Sequence, residues 1–200
     1  YVIGLTGGVA SGKSEVGRRF EAFGIHVADA DQAARDAVAI GSDGLADVVD
    51  MFGAGVLAAD GGLDRPAMRR RIFADPDARK RLEAIIHPRV RELLHVACNK
   101  ASSPYAIAAV PLLAEGGGRR AYPWLRRILV VDVPEAVQLQ RLLQRDGIDE
   151  ALGQQMIAVQ ATRQQRLAIA DDVLVNDGAL DALSEKIAAL DLLYRGLATD

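Results

Sequence analysis

Cysteine occurs once in 200 residues, at Cys98, so neither an intrachain disulfide nor a cysteine-based zinc site built from ligand pairs can be assembled. A reducing compartment fits that scarcity. No apolar run approaches the roughly 20 residues of a membrane-spanning helix, and the amino end lacks the basic segment and cleavage site of a secretory leader. A cytoplasmic location without membrane contact is therefore expected. The chain opens at Tyr1, without a methionine and directly ahead of the strand-like VIGL; a residue or two is expected to precede it. The net charge of -3 supplies no general pull toward nucleic acid or an anionic membrane, and no obligate protein partner is inferred. Lysine is scarce, 4 residues against 20 arginines, which composition bias explains more simply than a functional preference for guanidinium groups. There is no internal repeat, and the short GGGRR at 116–120 reads as a loop.

Half of the residues are apolar, enough for one substantial core with a smaller appended lobe. Short β-rich runs at 2–6, 25–28, 105–110, 128–133 and 173–175 are apolar at successive positions, as strands buried on both faces are. Stretches with helical spacing at 13–23, 31–39, 134–145 and 180–193 lie between and after them. The alternation predicts an α/β fold, a parallel sheet covered by helices on both faces. Two regions break the rhythm. Residues 42–100 carry little strand signal, a turn at DGGLDRP and helix starts near Asp64 and Asp77, and read as a helical insertion. Residues 141–166 carry arginines, glutamines and the turn signal RDG on two helical stretches, and read as a mobile arm.

The stretch LTGGVASGKSEV (5–16) joins the first strand to the first helix, and its Gly7, Gly12, Lys13 and Ser14 satisfy G-x-x-x-x-G-K-[ST]. Glycine lets the backbone curl so that consecutive N–H groups point inward, and the following helix adds its positive end. Phosphate oxygens then meet donors at low steric cost. Lys13 would reach the β and γ phosphates, and the Ser14 hydroxyl would hold a magnesium ion. The chain's own residue frequencies predict only about 0.002 chance matches to this pattern.

The second strand candidate ends in IHVADAD, with acids at Asp29 and Asp31. Ligands in open parallel sheets sit beyond the carboxyl ends of strands, so this pair is expected near the phosphate loop. There a carboxylate could accept a proton from a hydroxyl or bind magnesium. Spacing alone equally allows helix capping by either acid, with an Asp31 to Arg35 surface pair.

Together these features resemble the dephospho-CoA kinase family. The likeness runs through nearly the whole chain: IGLTGGVASGKS at the start, DADQAAR at 29–35, FGAGVL and then GGLDRPAMRRRIF at 61–73, LEAIIHPRV at 82–90, PLLAE at 111–115, VVDVPEAVQLQRLLQRDG at 130–147, and a tail from Gln160 through Arg166, Ala170, Asp171, Asn176 and Gly178. Two positions depart from the family pattern. Ala114 stands where an aromatic is usual, loosening packing near an acceptor pocket, and Glu15 stands where a small hydroxyl residue is common.

The resemblance implies a P-loop NTPase-like kinase domain over 1–200, with 42–100 as a helical acceptor-binding insertion and 141–166 as a helical lid. It implies ATP and Mg2+ as donor and metal, and dephospho-CoA as the acceptor phosphorylated on its ribose 3'-hydroxyl. Nucleotide contacts then fall to Gly8, Val9, Ala10, Ser11, Gly12, Lys13, Ser14 and Glu15, with Glu15 itself pointing away from the nucleotide. Asp31, Lys13 and Arg141 become the catalytic candidates, Asp31 orienting or deprotonating the hydroxyl. Arg141, four residues from Arg145 and so on one helix face, would close over the triphosphate; the alternative is a solvated charged face. Arg35, Arg65, His87, Leu112 and Glu115 join Asp31 on the acceptor side, salt bridges remaining the alternative for the two arginines. His87 is assigned no catalytic step, because Pro88 suggests a helix boundary or local turn there. Asn176 and Gly178 are expected at the adenine ring, an ordinary Asn-Asp-Gly turn being the alternative. Two rival readings remain: another small-molecule kinase, and a nucleotide switch, against which no N-K-x-D tetrapeptide is present.

Overall fold

The computed structural model describes residues 1–178 and 180–199. In chain order the elements are β1 (Val2–Gly7), α1 (Lys13–Ala22), β2 (His26–Asp29), α2 (Ala30–Asp36), α3 (Asp43–Phe52), α4 (Arg65–Ala74), α5 (Pro76–Asn99), β3 (Ala106–Ala109), β4 (Arg127–Asp132), α6 (Glu135–Asp146), α7 (Glu150–Ala158), α8 (Arg163–Ala168), β5 (Asp172–Val175) and α9 (Leu180–Thr199). Strand order in the sheet is β2-β3-β1-β4-β5. β1 pairs in parallel with β3 and with β4, and β4 in parallel with β5. All five predicted strands are present within a residue or two of their expected ends. The chain divides into two compact units, one of Tyr1–Ala28 with Ala97–Asp200, the other of Asp29–Val96.

In the first unit every residue of β1 is buried, as its central place in the sheet requires. One core cluster joins Ile3 and Leu5 to Val16 and Phe20 of α1, Ile107 of β3, Leu129 of β4, and Leu183, Ile187 and Tyr194 of α9. Each such side chain contributes about 1.5–3 kcal/mol on burial. Three rings meet in that core, Tyr105 packing edge-on to Tyr194 at 5.5 Å between centroids, with Phe20 6.3 Å from Tyr194. The two buried phenols keep acceptors: Tyr105 donates to Asp191 at 2.7 Å and Tyr194 to Asp172 at 3.0 Å. Burial comes first among the causes that push both hydroxyls above their ordinary pKa.

The second unit is helical, with a core of Val38, Leu45, Val48, Phe52, Val56, Met68, Ala78 and Leu82. Its helices start where short polar side chains satisfy first-turn N–H groups: Ser42 accepts from Leu45, Asp64 from Ala67 and Asp75 from Ala78. The helix starts expected near Asp64 and Asp77 are thus present. The boundary expected at Pro88 is not. α5 runs from Pro76 to Asn99 with Pro88 inside it. Buried Leu82 precedes the proline and buried Val90 and Leu94 follow it, and that burial outweighs the lost backbone bond and ring clash, about 3 kcal/mol. Among the described residues no helix is long and apolar enough to cross a membrane.

Candidate active site

β1 has one neighbour on each side, and the chain places β2 and β3 on one flank and β4 and β5 on the other. Such a switch point leaves a crevice beyond the strand's carboxyl end. The glycine-rich loop fills that position. Gly7 sits opposite Val131 in the β1–β4 register, and α1 begins at Lys13. The chain turns through positive φ at Ala10 (56°) and Gly12 (90°). Ser11 N–H closes the turn on Gly8 carbonyl at 3.2 Å. A Cβ on Gly12 would overlap the Asn176 amide, and one on Gly8 would overlap the Gln138 amide, so the absence of side chains here has a steric cause as well as a torsional one. Gly12 is the N-cap of α1 and supplies no side-chain cap, which leaves first-turn N–H groups for an anion.

Four other segments brace this loop. The Val9 N–H donates to Gln160 Oε1 at 2.8 Å, and Asn176 Nδ2 donates to Ser11 carbonyl at 2.8 Å. Gln138 of α6, 2% exposed, and Arg166 of α8 lie against Gly8. The Gln160–Ala161 link is itself fixed, because Ala161 N–H donates to Glu115 Oε1 at 2.6 Å and the Ala161 carbonyl accepts from Arg166. At the end of β4, Asp132 is gripped by Arg163, with Nε at 2.9 Å and Nη2 at 2.7 Å. That bond holds the Arg163 guanidinium above its ordinary pKa, and burial pushes that of Arg166 down. The Ser11 hydroxyl is buried without a hydrogen-bond partner among the described residues.

Of the residues singled out from the sequence, Gly8, Val9, Ala10, Ser11, Gly12, Lys13 and Ser14 form the loop and the first turn of α1, with Lys13 half-buried and Ser14 exposed. Glu15 pairs along the helix with Arg18 at 2.6 Å and Arg19 at 2.8 Å. Arg141 is half-buried in the middle of α6, while Arg145 is bonded to Asp146 at 2.7 Å. Asn176 donates one of its two amide hydrogens to the loop, and Gly178 is exposed. Leu112 is exposed in the segment after β3, which also carries Glu115.

Asp31, Arg35, Arg65 and His87 belong to the second unit, and all four are exposed. Asp29 is the residue that caps α2, accepting from Asp31 N–H at 2.7 Å and Gln32 N–H at 3.1 Å. Capping therefore falls to the first acid and, among the described residues, leaves the carboxylate of the second uncommitted. The Asp31 to Arg35 pair is not formed; Arg35 donates instead to Gln32 Oε1, at 2.8 Å from Nη2. Arg65 opens α4 behind its Asp64 cap, and His87 lies on the exposed side of α5. The sequence did not single out Gln138, Asp132 or Arg163. Only Asp132 carried a local signal, an acid ending an apolar strand.

The family model described as dephospho-CoA kinase matches residues 1–182. The dephospho-CoA kinase of Xanthomonas campestris pv. campestris (strain 8004) is 55% identical over 195 residues, covering 98% of this chain and 94% of that relative. The one from Xylella fastidiosa (strain Temecula1 / ATCC 700964) is 51% identical over 199 residues, covering 100% and 96%. Among solved structures, a dephospho-CoA kinase from Campylobacter jejuni superposes with a TM-score of 0.71 at 21% identity over 98% of both chains. A shikimate kinase from Acinetobacter baumannii in complex with shikimate does so at 0.53 and 19%, covering 96% of this chain and 92% of that one. The two structural likenesses show a shared P-loop kinase fold, and the family match over residues 1–182 shows that the chain belongs to the dephospho-CoA kinase family.

Proposed function

We infer that the chain transfers the γ-phosphoryl group of ATP to the ribose 3'-hydroxyl of dephospho-CoA, giving coenzyme A and ADP. The hydroxyl oxygen forms the new bond to phosphorus, the bond to the bridging oxygen breaks with its electrons leaving on ADP, and the hydroxyl proton is released. The observation that carries this reading is the braced loop at the switch point, whose positive-φ turns and uncapped α1 terminus suit a polyphosphate. Little covalent chemistry falls to the protein in such a transfer; positioning and charge compensation do the work. Lys13 follows the growing charge on the transferred group. Asp31 orients or accepts the hydroxyl proton, and its exposed carboxylate, left uncommitted by the Asp29 cap, supports that role. Arg141 acts from the 141–166 lid as a further cation. Arg35, Arg65, His87, Leu112 and Glu115 serve the acceptor, with 42–100 as its binding lobe.

Magnesium fits the donor chemistry. Ser14 offers a hard hydroxyl oxygen at the first turn of α1, and this ion keeps waters and substrate phosphates as its other ligands. When bound it neutralises phosphate charge. The reading is tested by incubating the purified chain with ATP labelled at the γ-phosphate, offering dephospho-CoA beside shikimate and other hydroxyl acceptors, and locating the label in the product. Label on the ribose 3'-oxygen supports it. Transfer only to another acceptor, or hydrolysis alone, overturns it.

A further inference from the structure

Arg166 is 6% exposed, yet among the described residues it forms no ion pair, and the one hydrogen bond of its side chain goes to the neutral carbonyl of Ala161. A guanidinium carries five N–H donors, so most of its capacity is uncommitted. The group lies against the phosphate loop. Its Nη2 and Cζ come within 2.9 and 3.0 Å of the point that a Cβ on Gly8 would occupy. Burying a cation without a carboxylate partner is costly, and burial depresses the pKa of this one, while the charges of Glu115, Asp132 and Glu135 act in the opposite sense.

One acid that could have quenched it is already taken. Asp132, 4% exposed, receives Nε and Nη2 of Arg163, three residues earlier on α8. The outer arginine thus neutralises the buried acid, and the inner arginine keeps its charge beside the loop. We propose that Arg166 is a phosphate-binding residue, donating to the terminal phosphate of the triphosphate held by Gly8–Ser14, and that Arg163 keeps it available by occupying Asp132. This assignment rests on reading the loop as a triphosphate site, but not on the identity of the acceptor.

The test compares ATP with ADP, which differ by the group that Arg166 is assigned to hold. Affinities of the full chain for each, with magnesium, are measured by calorimetry for the wild type and for Arg166→Gln, Arg166→Met and Arg166→Lys, beside thermal melts without nucleotide. Arg166→Gln is chosen because it retains a donor for Ala161. In the two neutral variants ATP affinity is expected to fall about 10- to 100-fold, the worth of a charge-assisted hydrogen bond, with ADP affinity unchanged. The nucleotide-free melting temperature is not lowered, since an unpaired buried charge has been removed. Arg166→Lys recovers part of the ATP affinity. ATP and ADP affinities falling together, a lower melting temperature in both neutral variants, or unchanged ATP affinity would each overturn the proposal. A wild type that shows this contrast but leaves dephospho-CoA unphosphorylated would sink the acceptor reading and leave Arg166 in place.

Discussion

The phosphate loop and the Asp29–Arg35 turn both follow a strand and open a helix, but they are held in different ways. Four contacts fix the loop from far along the chain: Val9 to Gln160, Ser11 to Asn176, and Gly8 against Gln138 and Arg166. The side-chain hydrogen bonds of the turn are local, Asp29 capping α2 and Gln32 bonded to Arg35 and Asp36. A polyphosphate gains most from donors already aimed before it arrives, since reorganising them would cost binding energy. A carboxylate that meets a hydroxyl needs only its own freedom to accept a proton. On the proposed reading, the contrast means that the two halves of the chemistry fail differently when cut.

The sharpest cut is at the turn. Asp31→Asn is expected to lower kcat about 10²- to 10⁴-fold, the usual worth of a positioned general base, while calorimetric ATP affinity stays at the wild-type value. Turnover within a few-fold of wild type would remove Asp31 from the chemistry. At the loop, Lys13→Ala is expected to lower kcat/KM about 10²- to 10³-fold, as loss of one charge-stabilising donor does. Here ATP affinity should fall as well, which steady-state kinetics and calorimetry together would reveal.

A smaller effect tests the brace itself. Asn176→Ala leaves the Ser11 carbonyl without its donor beneath Gly12, at a cost of about 1–3 kcal/mol. Melting temperature and ATP affinity are expected to drop together, without a change in preference among nucleoside triphosphates. If base preference relaxes while the melting temperature holds, Asn176 reads the adenine and the brace is secondary.

What the sequence disclosed follows the same division. The loop is legible because its glycine pattern is local: φ at Gly12 and the close approach to Gly8 are demands that a few adjacent residues answer. The strands are legible because burial on both faces leaves continuous apolar runs. Gln138, Gln160 and Arg166 act on that loop across more than a hundred residues of chain, and glutamine or arginine on a helix carries no mark that tells a brace from a solvated surface. Local rules also misled. Pro88 reads as a break, yet α5 continues through it because burial on both sides decides the matter. The i,i+4 spacing of Asp31 and Arg35 suggests a pair, yet Gln32, one turn from Arg35, offers its carbonyl oxygen first.

The mildest expected effect concerns acid, and it too separates the two units. Burial alone would raise the pKa of Asp172, but hydrogen bonds from Arg127 at 2.8 Å and Tyr194 at 3.0 Å, with the Arg127 charge, more than offset it and leave the carboxyl below its ordinary range. In the second unit Asp75 is also lowered, chiefly by the Ala78 N–H, but it stands in solvent. A carboxyl with a depressed folded-state pKa binds fewer protons than its unfolded counterpart. Its contribution is therefore complete above the unfolded value of about 3.9 and is lost as pH falls through the lower folded value. Urea unfolding of the full chain at steps between about pH 6 and pH 2.5 should show stability declining below about pH 4. Asp172→Asn should lower stability at neutral pH and flatten that decline, and Asp75→Asn should change the slope less, because an exposed, screened carboxylate holds little of it. Equal flattening by both substitutions would show that the Arg127–Asp172–Tyr194 cluster is no better a store of pH-dependent stability than a single capped helix end.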